Sequence, residues 1–114
     1  DPVAAIKSLE GAIYHVHAKD TAIDAQNTAV NGVLDPKSYR DVVHRSWIFR
    51  TVGYGHSLEE WRRITSALRT VGYDHVLSIE HEDALASVNE GFGKAVAFLR
   101  EMVLSETPTQ AWWV

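Results

Sequence analysis

The chain of 114 residues contains no cysteine, so disulfides and thiolate metal sites are both excluded. No apolar run approaches the roughly 20 residues of a membrane span. The first residues, DPVAAIKSLEG, lack the basic segment and apolar stretch of a signal peptide, and a cytoplasmic location with no membrane partner is the expectation. Excess basic charge is missing too. Eleven Lys and Arg against fifteen Asp and Glu leave a net charge of −4, which argues against nucleic acid as a partner. What remains is a composition 46% hydrophobic, ordinary for a globular protein and too apolar for a disordered one.

The most informative stretch is Ala12 to Asp20, AIYHVHAKD. Strand side chains alternate, so Ile13, His15, His17 and Lys19 share one face and Tyr14, Val16 and Ala18 the other. Two histidines and a lysine on one face need solvent, partners or a metal. Residues His75 to Asp83, HVLSIEHED, repeat the pattern: Val76, Ser78, Glu80 and Glu82 fall on one face, and Leu77, Ile79 and His81 on the other. Two strands ending in His and Glu suggest a metal-bearing rim.

Asp1-Pro2 opens a first helix, which Gly11 stops. Residues 20–46 are polar and broken by Asn31-Gly32 and Asp35-Pro36, and are expected to form a long loop. Trp47 to Val52 looks like a second strand, ended by Gly53 and Gly55. Ser57 with Glu60 is a capping box for a helix to Val71, with Leu58, Trp61, Ile64, Leu68 and Val71 as its apolar stripe. Ser87 with Glu90 opens a last helix through Met102. The alternation of strands and helices predicts α/β architecture with parallel strands and crossover helices. Three strands cannot close a barrel, and a flavodoxin-like sheet would explain the alternation without the polar faces.

The motifs HVHAKD at 15–20, RTVGYGH at 50–56 followed by Trp61, and GYDHVLSIEHED at 72–83 resemble the C-terminal half of the xylose isomerase-like TIM barrels. This is the sugar phosphate isomerase/epimerase group, which shares its fold with endonuclease IV. The resemblance runs over nearly all of residues 1–114. It implies the C-terminal part of a (β/α)₈ barrel, with three parallel strands and flanking helices, incomplete as a barrel on its own. It also implies carbohydrate metabolism: isomerisation or epimerisation of a sugar or sugar phosphate by proton transfer through an enediolate.

In that group one divalent metal is held by a Glu, an Asp, a His and a final Glu. His17 and Glu80 match the last two, and Glu80 is also the implied catalytic carboxylate. The remaining ligands belong to earlier strands, so the resemblance implies a missing N-terminal half or a second copy, and an inactive fragment without either. A site of oxygen and nitrogen donors suits Mn²⁺, Mg²⁺, Co²⁺ or Zn²⁺. Lys19 and Arg50 would orient the sugar, or else pair with the carboxylates. His56, after the Gly53-Tyr54-Gly55 turn, would contact substrate or cap the next helix. His15 reads as a supporting residue, Trp61 as core, and His81 as structural. Glu82 and Asp83 read as solvent-facing or as caps of the last helix. Alternatives are a non-catalytic piece that associates with itself or an N-terminal partner, a related metal-dependent dehydratase, and an endonuclease IV-like enzyme. The acidic charge and the absence of an Asp-x-His signature count against the last.

Overall fold

A computed structural model describes all residues from 1 to 114. It contains four helices and four short strands. In chain order these are α1 (Pro2–Ser8), β1 (Val16–Ala18), β2 (Asp20–Ile23), α2 (Ala25–Asn31), β3 (Trp47–Arg50), α3 (Leu58–Thr70), β4 (Leu77–Ile79) and α4 (Val88–Met102). Each helix begins at a side chain that accepts one of its unpaired N–H groups: Asp1 from Val3, Asp24 from Asn27, Ser57 from Glu60 and Ser87 from Glu90. Both capping boxes therefore open helices where the sequence predicts them. No helix is long and apolar enough to cross a membrane.

The strands form two separate two-stranded sheets. β1 and β4 pair in parallel, with Val16 opposite Leu77, His17 opposite Ser78 and Ala18 opposite Ile79. β2 and β3 pair antiparallel, from Asp20 opposite Arg50 to Ile23 opposite Trp47. This overturns the expected portion of a TIM barrel with three parallel strands. The Trp47–Arg50 strand does not join the parallel pair. It folds back on β2, a strand that the reading of residues 20–46 as a loop had omitted along with α2. The physical reason lies in a short segment. Thr21, Ala22 and Ile23 sit between Asp20 and Asp24 and pair with the aromatic-rich β3 across residues 24–46, a loop whose closure cost grows only slowly with its length.

The parallel pair places its alternating faces as the sequence predicts. Ala18, Leu77 and Ile79 turn toward α3 and α4. There Ala18, Val52, Trp61, Ala95, Leu99 and Met102 make the core, with Leu77, Ile79 and Phe98 packed against it. Trp61 meets Phe98 edge to face, with ring centroids 6.3 Å apart. The opposite face, carrying His15, His17, Lys19, Ser78 and Glu80, has no layer over it, and each of its residues keeps some exposure.

The core is thin. Only 14 of 114 residues are buried, and the chain measures 53 × 31 × 24 Å. Its accessible surface of 8189 Å² exceeds the roughly 6,200 Å² that size scaling gives for a folded monomer of this mass.

Candidate functional site

The open face of the β1–β4 pair carries the candidate site. Parallel register sets His17 beside Ser78, and one step further Glu80 N–H donates to the Ala18 carbonyl, which brings Glu80 level with Lys19. The Nδ1 of His17 lies 3.2 Å from Glu80 Oε1, and Lys19 Nζ donates to Glu80 Oε2 at 2.9 Å. Lys19 Nζ also lies 3.3 Å from Glu82 Oε2 and 4.3 Å from the centre of the Phe49 ring. His15 Nε2 is 2.7 Å from Ser78 Oγ, which itself sits 3.3 Å from His17 Nδ1.

The hydrogen bond from Lys19 holds the Glu80 carboxyl below its ordinary range, and the nearby Lys19 and His17 charges act in the same direction. The same hydrogen bond raises the Lys19 ammonium, outweighing the opposing effect of its desolvation. Glu80 is therefore a half-exposed, ionised carboxylate with one oxygen committed to Lys19 and the other facing His17.

The remaining sequence-predicted residues lie apart from this group. Arg50 Nε donates to Asp83 Oδ2 at 3.2 Å. His56 Nδ1 lies 2.7 Å from Asp20 Oδ1, while the His56 ring stays half-exposed. Asp83 is neither solvent-facing nor the cap of the last helix, which begins at Ser87. Its side chain is buried and accepts from Thr51 N–H at 2.6 Å, Thr51 Oγ1 at 2.8 Å and Leu85 N–H at 2.8 Å. Glu82 is exposed, as expected, but it shares Lys19.

Sequence reasoning assigned no role to the most heavily bonded side chain. Asp20 is fully buried. Its Oδ2 accepts from Gly53 N–H, Gly55 N–H and Trp61 Nε1–H at 2.8, 3.0 and 3.1 Å, and its Oδ1 from Thr21 N–H and His56 N–H at 2.9 and 3.0 Å. Burial alone would push this carboxyl up. The His56 ring and the Gly55, Gly53 and Thr21 amides outweigh it and hold the carboxyl below its ordinary value. The signal was the acid in HVHAKD taken together with the glycines of VGYG. A Cβ on Gly55 would stand 2.5 Å from the Thr21 carbonyl oxygen and 2.6 Å from Asp20 Oδ1, so only glycine lets the turn wrap the carboxylate.

His81 packs on α4, as its face predicts. A Cβ on Gly91 would stand 2.1 Å from His81 Cε1. Both His81 ring nitrogens are buried without a hydrogen-bond partner.

The chain resembles the Uncharacterized protein YfiH of Bacillus subtilis (strain 168). The two are 36% identical over 103 residues, which cover 90% of this chain and 33% of the relative. The chain thus spans about a third of the length of the curated relative it matches. No family model matches the sequence.

For a divalent metal, the donor chemistry of this face is suitable and its number is short. His17 supplies an imidazole nitrogen and Glu80 a carboxylate oxygen, both types that borderline and hard cations accept. No group of three or more His, Asp or Glu side chains is placed to hold an ion. The two residues alone supply one nitrogen and one carboxylate donor.

Proposed function

We propose that this chain carries part of the active face of a divalent-metal-dependent sugar isomerase or epimerase, of the sugar phosphate isomerase/epimerase group that its motifs resemble. The observation that supports this reading is the convergence of His17 and Lys19 on the two oxygens of Glu80. Three residues from two separate motifs meet on a face that no other part of the chain covers.

Aldose–ketose isomerisation and epimerisation both need a proton removed beside a carbonyl and returned at carbon. Glu80 is the proton carrier in this reading. It is ionised at neutral pH as an ordinary carboxylate would be, and the hydrogen bond from Lys19 holds it further to that side. The depressed pKa makes it a weak base, so the acidity of the carbon must be raised as well. A bound Mn²⁺, Mg²⁺, Co²⁺ or Zn²⁺ would supply that by offsetting the negative charge that develops on the sugar oxygens. His17 and Glu80 would hold the ion together with donors from outside this chain. Lys19 fixes the carboxylate's orientation through its hydrogen bond to Oε2. Arg50 and His56, engaged by Asp83 and Asp20, would act at the margin of the site.

The test is metal uptake. Calorimetric titration with Mn²⁺ is expected to show binding that falls about tenfold or more in Glu80→Gln and His17→Ala. Equal uptake by all three proteins would overturn the assignment.

A second reading is favoured by the large surface. A chain with some 2,000 Å² more surface than its mass warrants would serve as an associating piece, with itself or with an N-terminal partner, without chemistry of its own. Light scattering tests this: a monomer at all concentrations counts against self-association.

A further inference from the structure

A cleft of about 390 Å³ opens beside the candidate site, lined by Tyr39, Ile48 and Phe49 on one side and Glu82, Asp83 and Ala84 on the other. Of its lining only Tyr39 comes from the segment expected to be a loop; Ile48 and Phe49 belong to the expected second strand, and Glu82 and Asp83 end the GYDHVLSIEHED motif. Tyr39 and Phe49 lie nearly parallel with centroids 5.7 Å apart, and Trp47 meets both edge-on. Arg45, almost fully buried, braces this cluster from behind. Its guanidinium lies 4.1 Å from the Tyr39 ring centre and 4.6 Å from that of Trp47, and it donates to the carbonyls of Lys37 and Trp47. The wall is therefore built and held, rather than being a chance grouping of exposed rings.

Charge decides what such a cleft accepts. The cations bordering it are already engaged: Lys19 by Glu80 and Glu82, Arg50 by Asp83, and Arg45 by two carbonyls. Asp83 is buried and fully bonded. That leaves the Glu82 carboxylate, one oxygen of which lies 3.3 Å from Lys19, and the Tyr39 hydroxyl as the polar groups available to a ligand, beside an apolar wall. A phosphate would meet no free cation and one anion. A ring bearing hydroxyls on one side and C–H groups on the other fits both walls, since hydroxyls donate to a carboxylate and C–H faces bury against aromatic carbon.

We propose that this cleft is a binding site for an uncharged cyclic polyol. It would hold the non-reacting part of the substrate, with Glu82 as the hydroxyl acceptor. The inference rests on the sugar-directed reading of the neighbouring face and narrows it from sugar or sugar phosphate to a neutral sugar. Lys19 joins the two parts, touching Phe49 and Glu82 on the cleft side and Glu80 on the other.

The experiment is saturation-transfer NMR on the full chain in EDTA, so that no metal contributes. The probes are D-xylose, D-glucose, myo-inositol, glucose 6-phosphate and inorganic phosphate. At least one neutral probe is expected to bind, with affinity reduced about fivefold in Glu82→Gln, the loss of one hydrogen bond, and abolished in Ala84→Phe, which fills the cleft. Both positions are exposed, and thermal melts confirm that the variants fold.

Absence of neutral-probe binding, or its persistence in Ala84→Phe, would each overturn the proposal. Tighter binding of glucose 6-phosphate, with displacement by inorganic phosphate, would overturn it in favour of a phosphate site. Failure of metal uptake by His17 and Glu80, with neutral-probe binding intact, would remove the isomerase reading and leave the cleft assignment standing.

Discussion

His56 meets a single oxygen of Asp20 twice, through its backbone N–H at 3.0 Å and its ring Nδ1 at 2.7 Å. This pair ties the Gly53–His56 turn to the end of the strand run that begins at β1. It couples the position of the turn to the protonation of one buried carboxyl.

Replacing that carboxylate should therefore loosen several elements at once. Asp20→Asn presents an amide donor to a set of N–H donors, from Gly53, Gly55, His56 and Trp61 among others. A loss of about 3 kcal/mol is expected, the order found when buried donors lose a charged acceptor. Urea denaturation followed by Trp fluorescence measures it, and an unchanged midpoint would show the network to be dispensable.

Acid should destabilise the chain for the same reason. Asp20, Asp35 and Asp83 are all held below the ordinary carboxyl value of 3.8. For Asp35 the leading cause is the Lys37 N–H, joined by that of Ser46. For Asp83, burial pushes the carboxyl up, but the Thr51 and Leu85 amides, the Thr51 hydroxyl and Arg50 outweigh it. Folded values below unfolded ones mean that the unfolded chain binds protons first as pH falls. The stabilisation is complete above the unfolded value and is lost as pH drops through the folded ones. The melting temperature should fall steeply below about pH 4, and less steeply in Asp20→Asn. A flat acid profile would contradict the assignment.

Gly91 and His81 form a size-matched pair. Gly91→Ala should cost about 1–3 kcal/mol through overpacking against the His81 ring and Thr51 Oγ1. Removing the ring should relieve part of that cost, so the Gly91→Ala, His81→Ala double variant is expected to be more stable than the two single effects summed. Strict additivity in a four-protein denaturation cycle would disprove the contact.

Arg45 should not tolerate lysine. The planar guanidinium spans two rings and donates to the carbonyls of Lys37 and Trp47, which a single ammonium cannot do at once. Arg45→Lys is expected to lose about 1–2 kcal/mol and to broaden the Tyr39 and Phe49 ring signals by NMR. Retention of both stability and line width would show that the cluster holds without it.

Much of the local architecture was legible in the chain. Asp1-Pro2, Ser57 with Glu60 and Ser87 with Glu90 mark helix starts that capping geometry then satisfies. Alternation in VHAK and LSIE sorted polar from core-facing residues, while Tyr14, set by the same alternation with Val16 and Ala18, is exposed; Trp61 is core as its helix stripe indicated. β2 and α2 escaped because their signals are short: four residues of strand and a seven-residue helix capped by Asp24. A polar composition masked both.

By itself the sequence determined which side chains could share a face, because the periods of strand and helix are properties of the local backbone. It set His17 with Lys19, and Ser78 with Glu80, on common faces before any pairing was known. Which strand lies beside which was decided only in three dimensions. β3 pairs with β2 and leaves the parallel sheet at two strands, since strand partners are chosen by contacts between distant residues that no local pattern encodes. The same is true of Asp20. Its place at the centre of a hydrogen-bond network depends on Gly53, Gly55, His56 and Trp61 arriving from more than thirty residues away.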